Sequence, residues 1–369
     1  MARSGCIYGP TGAFKSTQIK CLAHYIARKY RKATYLLSLD GGGWEACDPE
    51  VKAGMINAYR CEVVNLPLQL VRKISQGFWP ENPKETDPAK INLVPMDYEN
   101  YGALAVEGWT SIGSTVMRYL ADNGISVGGE KRDKDNMQFI RKIQIDHAWV
   151  DEVFGSSTRG DYNFILRFLH GFVTNCGSLP LEYILHTALE AKTEDDDRTT
   201  IYGPAIEGKK GTAQCGAWVG DLIHAQDFPR PVIKQVPDPQ DSKKTIEQST
   251  IEMVVRFYFK KHLDPNTAVP FPAKPRITPE KLSELDKIFP GGYFEPFPDG
   301  NLPFPALNYK NGFDVYLDTL DRLSAGQADA LKDWRAQMDA KLGRGAPAPA
   351  KATTTTTPTT GKEKAPVDR

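Results

Sequence analysis

Between the apolar stretch Cys6-Ile7-Tyr8 and a helical pattern that starts near Lys15 lies the nonapeptide GPTGAFKST, Gly9 to Thr17. It keeps the register of the phosphate-loop template GxxxxGK[ST] at Gly9, Lys15 and Ser16, with Phe14 where the template has glycine. Such a loop requires a strand before it, a helix after it, and backbone N–H groups that converge on an anion at the helix N-terminus. Gly9 and Gly12 allow the bends. Lys15 brings a compact cation to the β- and γ-phosphates of a nucleotide, and the Ser16 hydroxyl is placed to ligate Mg²⁺. Pro10, Thr11, Ala13, Phe14 and Thr17 complete the candidate nucleotide-binding set. Phe14 is expected at the helix entry with negative φ, which avoids the ~1–2 kcal/mol cost of a left-handed conformation.

The rest of the first 228 residues alternates strand and helix patterns, the signature of a parallel α/β sheet with right-handed crossovers. A helix is expected from about Lys15 to Tyr30, with Ile19, Leu22, Tyr25 or Ile26, and Tyr30 on its core face. The run ATYLLSLD (33–40) reads as a strand buried on both faces. CEVVNL (61–66), YGALAVEG (101–108), LEYILHTA (181–188) and, more weakly, AWVGDLIHA (217–225) are further strands. PLQLVRKISQGF, TSIGSTVMRYLADNG and DYNFILRFLHGFVTNC read as helices, the last with Phe164, Phe168 and Phe172 along one face.

After about Asp227 prolines become frequent and the alternation stops. TIEMVVRFYFKKHL there could be an added strand or edge element, and a capping box at Ser324–Gln327 opens a helix bearing Leu331, Trp334, Met338 and Leu342. The expected layout is therefore an α/β domain carrying the phosphate loop over 1–228, a proline-rich extension ending in a helix over 229–342, and a tail over 343–369 too poor in apolar residues to order itself.

Lys plus Arg and Asp plus Glu each number 46, so the net charge is zero, which argues against a uniformly basic DNA-coating protein but leaves room for a local basic groove. The six cysteines (Cys6, Cys21, Cys47, Cys61, Cys176 and Cys215) form no CxxC pair and no zinc-spaced cluster, as expected of buried thiols in a reducing compartment. No apolar run approaches the ~18 residues a spanning helix needs, and no signal peptide precedes the loop; a cytoplasmic protein is expected, in a host cell if the chain is viral.

Five segments together carry a resemblance: the loop itself, YLLSLDGGG, ALAVEGWTSI, VFGSSTRGDYNFILRFLHGFV, and YILHTALE with YGPAIEGKKG. In this order they resemble a bacteriophage-encoded RecA-like P-loop ATPase, related to the phage single-strand-annealing recombination ATPases. That resemblance implies an α/β RecA-like core with a mainly parallel sheet flanked by helices. It also implies ATP and Mg²⁺ as cofactors, hydrolysis stimulated by DNA, a homo-oligomer, and single-stranded DNA with other phage recombination or replication proteins as partners.

The roles the resemblance implies fall as follows. Glu107, ending ALAVE, is the magnesium-side carboxylate, acting through water because it is longer than the usual aspartate; Asp146 in KIQID competes for that role. Asp40, ending LLSLD, is the water-activating carboxylate or a turn aspartate, with Glu45 as fallback. Thr187 or His186 is a γ-phosphate sensor, unless His186 is a core histidine. Lys209 and Lys210, on a glycine-flanked loop, reach a neighbour's γ-phosphate, touch DNA, or are simply solvated; Arg276 is a weaker candidate for the inter-subunit cation. The acidic run Glu194 to Asp197 reads as an exposed loop. Trp44, Phe78, Trp79 and Trp109 are the aromatics available for base stacking. A nucleotide-binding scaffold or assembly factor with weak or no hydrolysis is the alternative, and a small-molecule phosphotransferase ranks lower because no arginine-rich lid is present.

Overall fold

A computed structural model describes residues 2–326, except 40–42, 62–67, 86, 88, 123–137, 146–147, 156–158, 195–198, 207–208, 238–244, 265–266 and 296–311. The chain begins with β1 (Arg3–Gly9), α1 (Lys15–Tyr30), β2 (Ala33–Ser38), α2 (Gly43–Lys52), β3 (Ile56–Arg60) and α3 (Leu68–Ser75). The two-stranded pair β4 (Phe78–Pro80) and β5 (Leu93–Pro95) leads to β6 (Tyr101–Glu107) and α4 (Trp109–Asp122). A second pair, β7 (Gln138–Ile145) and β8 (Ala148–Gly155), precedes α5 (Arg159–Gly177), β9 (Tyr183–Glu194), β10 (Thr200–Pro204) and α6 (Lys209–Gln214). The remainder carries β11 (Asp221–Pro237), β12 (Thr245–Tyr258), the short pair β13 (His262–Leu263) and β14 (Pro270–Phe271), α7 (Pro279–Ile288), β15 (Tyr293–Phe294) and α8 (Phe313–Ser324).

The central sheet runs β15-β12-β11-β1-β9-β6-β2-β3, with β10 paired to β9. From β3 through to β11 every pairing is parallel; β12, β15 and β10 are antiparallel additions. The loop strand β1 is thus separated from β6, which ends in Glu107, by one strand, β9. This is the mainly parallel, helix-flanked α/β core expected from the sequence.

Both faces of the sheet are buried, so its strands read as unbroken apolar runs. Along β1, Cys6 and Tyr8 enter one core while Ile7 enters the other; Leu37 and Leu36, Val106 and Ala105, and Ile184 and Leu185 divide the same way. The first core is closed by α3, α4 and α5, the second by α1, α7 and α8. All six cysteines are buried and free. Among the described residues no helix is long and apolar enough to cross a membrane.

The C-terminal half departs most from expectation. The boundary expected at 228 falls inside β11, which runs unbroken from Asp221 to Pro237. Only residues 221–224 of β11 pair with β1; beyond them it pairs with β12 alone, so the two strands leave the sheet as a ribbon. Pro229, Pro231 and Pro237 share one parity on β11, so the missing N–H groups all lie on the side away from β12, where no ladder bond is lost. Ser324 ends a helix instead of starting one, its hydroxyl donating to the Leu320 carbonyl at 2.8 Å; the helix expected after it lies outside the described residues. The helix actually present, α8, packs on α1. Phe313, Tyr316, Leu317 and Leu320 are buried there, at roughly 1.5–3 kcal/mol for each such side chain. The Phe313 N–H donates to Gln18 Oε1 at 2.8 Å, and Asp321 accepts from both Tyr25 and Lys29. The chain end is therefore fastened to the helix that follows the glycine loop. The expected strand at 61–66 is replaced by β3, which ends at Arg60; residues 62–67 lie outside the described set.

Candidate active site

The glycine loop joins the C-terminal end of β1 to the N-terminus of α1, the position at which open α/β sheets bind ligands. Gly9 is buried, and a Cβ there would stand 2.3 Å from the Ala225 carbonyl oxygen, so β11 approaches too closely for any other residue. Gly12 has φ of 82°, which glycine adopts at no steric cost. Phe14 corrects the expectation made for it. It occupies the N-cap of α1 at φ 52° and ψ 28°, a left-handed conformation, and the residue is 60% exposed. A left-handed residue at this point curls successive amides into a concavity of the kind that holds anions, which accounts for glycine in the template.

That strain gives a prediction. Phe14→Gly removes the ~1–2 kcal/mol left-handed cost and adds about 0.5–1 kcal/mol of unfolded-state entropy. The residue is mostly exposed, so little burial is lost. A net gain in stability of about 0.5–1 kcal/mol is expected by urea denaturation; a loss of similar size would show that the ring is held by packing.

Around the loop lies a cleft of about 430 Å³ lined by Thr11 to Ser16, Glu107, Gly108, Thr110, Thr187 and Leu189, among others. Lys15 bends back so that its ammonium donates to the carbonyls of Gly9 (2.9 Å) and Pro10 (2.6 Å). Glu107 is 3% exposed at the end of β6 and accepts from the Ser16 hydroxyl through one oxygen and from the Ser38 hydroxyl, at 2.8 Å, through the other. The register makes this meeting unavoidable: Ser38 at the end of β2 is directly opposite Glu107. Thr187, on β9, accepts from the Gly108 N–H at 3.3 Å, and Thr110 accepts from the Leu189 N–H at 3.0 Å. The loop, Lys15, Ser16, Glu107 and Thr187 are therefore brought to one place. Thr17, half-buried on the first turn of α1, does not line the cleft.

Other candidates fall elsewhere. Asp40 and Asp146 lie outside the described residues, and Glu45 is exposed on the first turn of α2. Lys209 and Lys210 open the short helix α6 and do not sit in a loop. Arg276 donates its backbone N–H to Asp221, at the start of β11 and so at the opposite end of the sheet from the loop. Glu194 ends β9, while 195–197 lie outside the described set. Trp79 and Trp109 are core residues, 2% and 0% exposed, so neither offers a face to a base; Phe78 is half-buried and the Trp44 side chain lies outside the described set.

His186 is a core residue, not a sensor. It is fully buried, stacked on Trp109 at 5.0 Å, and neither ring nitrogen has a hydrogen-bond partner among the described residues. Burial pushes its pKa down to about 3. Sequence reading missed a second histidine group beside the loop. His224, opposite Tyr8 in the β1–β11 ladder, contacts Glu190 at 2.5 Å and His262 at 3.1 Å. Burial also lowers the pKa of His224, and burial together with the neighbouring His224 lowers His262 to about 4. The only signal in the sequence was a histidine ending an apolar run.

His186 and His262 are held neutral when folded at neutral pH, but each takes a proton near pH 6.5 when unfolded. Stability is thus full above about pH 6.5 and is lost as the pH falls toward 3 to 4. His186→Leu removes one such group and two unpartnered buried nitrogens. The variant should match the wild type within about 1 kcal/mol at neutral pH and exceed it by about 2 kcal/mol at pH ~5. Denaturation midpoints at the two pH values check this; parallel pH dependences would contradict it.

No family model and no curated protein matches the chain. Among solved structures, a KaiC-like protein from the hyperthermophilic archaeon Pyrococcus horikoshii OT3 is similar over 73% of this chain and 89% of that one, at 12% identity and a TM-score of 0.28. At that score the likeness adds no argument. The strand order, with the loop at the end of β1 and Glu107 one strand beyond its neighbour, carries the fold assignment.

Proposed function

We propose that the chain binds ATP with Mg²⁺ in this cleft and hydrolyses it, as a RecA-like P-loop ATPase. The observation that carries the reading is the Ser16–Glu107–Ser38 contact beside Lys15, which joins the loop helix, β6 and β2 at one point. The donors fit the metal: a hydroxyl and a carboxylate are hard oxygen ligands of the kind Mg²⁺ takes. Ser16 would hold the ion, with Glu107 behind it through water. Held there, Mg²⁺ would supply positive charge against the negative charge that develops on the phosphates. Lys15 would exchange its two carbonyl contacts for the β- and γ-phosphates. Thr187, fixed by the Gly108 N–H, would place a hydroxyl at the γ-phosphate.

Lys15 is the only cationic residue lining the cleft among the described residues. A triphosphate needs more positive charge than that, which supports a homo-oligomer in which a neighbour contributes a cation; Lys209, Lys210 and Arg276 are candidates across such an interface. Single-stranded DNA, DNA-stimulated turnover and a role in phage recombination or replication rest on the resemblance of the five segments. Phosphate release measured with and without single-stranded DNA tests the reading; turnover that DNA leaves unchanged would remove the DNA part of it.

One observation favours the alternative, a nucleotide-binding scaffold with little hydrolysis. Both oxygens of Glu107 already accept hydrogen bonds from serines, which competes with the metal-side role given to this carboxylate. ATP bound stoichiometrically with no phosphate released, with or without DNA, would decide for it.

A further inference from the structure

A second concavity, distinct from the glycine-loop cleft, lies between α3 and α5 and measures about 560 Å³. Its lining includes Gln69 and Arg72 from α3 and Phe164, Arg167, Phe168 and Asn175 from α5, and no carboxylate among the described residues. Phe164 and Phe168 stand one helical turn apart, half-buried, with ring centroids 6.4 Å apart and planes 25° from parallel. Arg167 lines the concavity from the same helix and Arg72 from α3. Both are exposed, and neither has an ion-pair partner among the described residues. Half-exposed aromatic side chains beside two exposed guanidinium groups fit a ligand that is flat, aromatic and anionic at once.

We propose that this groove binds single-stranded nucleic acid, with bases against Phe164 and Phe168 and the sugar-phosphate backbone along Arg72 and Arg167. Stacking on aromatic rings serves any base, and the arginines supply the sequence-independent electrostatic attraction. Gln69 and Asn175 offer amide groups to base edges. Trp79 and Trp109 cannot take this role because they are core residues. The groove also borders the nucleotide site through packing. Phe172, which lines it, meets His186 edge-on at 6.2 Å, and His186 precedes Thr187 of the cleft.

This assignment rests on the single-stranded DNA reading above. The test is fluorescence anisotropy of a labelled oligothymidylate with the full chain across a salt series, using wild type, Arg72→Ala combined with Arg167→Ala, and Phe168→Leu. The arginine pair is exposed, so its removal should leave the melting temperature unchanged. It is expected to reduce the slope of log K against log salt by about 1.4, roughly 0.7 for each phosphate contact on a single strand. Phe168→Leu keeps apolar packing but loses the ring, and should weaken binding about tenfold. Wild-type binding with unchanged affinity and slope in all variants would overturn the groove while leaving DNA binding intact. Absence of binding by the wild type would overturn both. If the arginine variant loses self-association instead of DNA affinity, the face belongs to a second copy of the chain and the proposal falls.

Discussion

Lys15→Ala is expected to lower ATP hydrolysis by at least about 10²–10³-fold and to weaken ATP binding, with the fold intact. Removal of one well-placed electrostatic group from a dry site typically has this effect on turnover. Here the loss should be at the upper end, since no other cation lines the cleft among the described residues. The side chain is half-buried and reaches the Gly9 and Pro10 carbonyls, which water can replace at the loop surface. Phosphate release, ATP titration by calorimetry and a melting curve on the same preparation separate the three effects. Hydrolysis that survives the substitution would place the chemistry elsewhere in the molecule. Lys15→Arg should also fail, because a planar guanidinium does not reproduce the compact ammonium.

Glu107→Gln should behave differently, with turnover down by about 10²-fold or more while ATP still binds. The amide is nearly isosteric, can accept from one serine and donate to the other, and so preserves the link between α1, β2 and β6. What it removes is the negative charge behind the proposed metal site. Glu107→Ala is the contrasting case. It leaves the buried Ser38 hydroxyl without this acceptor, and should destabilise the fold by about 1–3 kcal/mol in addition to abolishing turnover. If Glu107→Gln loses ATP binding as severely as Lys15→Ala, the carboxylate is structural and not metal-directed. If the wild type itself never turns over, the scaffold reading replaces the enzyme.

The parts of this site legible in the sequence were those set by local pattern. Strand, glycine loop and helix are contiguous, and a strand ending in a buried acid, ALAVE, shows its polar end against an apolar run. Ser38 was invisible because its role depends on the β2–β6 register, a pairing across 69 residues. Phe14 misled because a bulky side chain argues for negative φ, whereas the turn into α1 imposes the left-handed one. Pro229, Pro231 and Pro237 read as irregular chain, yet their shared parity suits the outer side of a ribbon. The spacing of Phe313, Tyr316, Leu317, Leu320 and Leu323 is helical but went unread beside the capping-box pattern at Ser324–Gln327, and nothing local revealed that α8 would dock on the loop helix. Lys209 and Lys210 show the converse error: glycines at 208 and 211 suggested a mobile loop, and the backbone there is helical from Lys209.

The central claim is that the backbone and side chains of residues 9–16, with Glu107 behind them, hold a nucleoside triphosphate and its metal. A crystal structure of the full chain grown with a non-hydrolysable ATP analogue and Mn²⁺ in place of Mg²⁺ tests it directly. The account predicts triphosphate density against Gly12 to Ser16 and an anomalous manganese peak beside the Ser16 hydroxyl. An empty loop with analogue density at another site, or no manganese near Ser16 and Glu107, would contradict it.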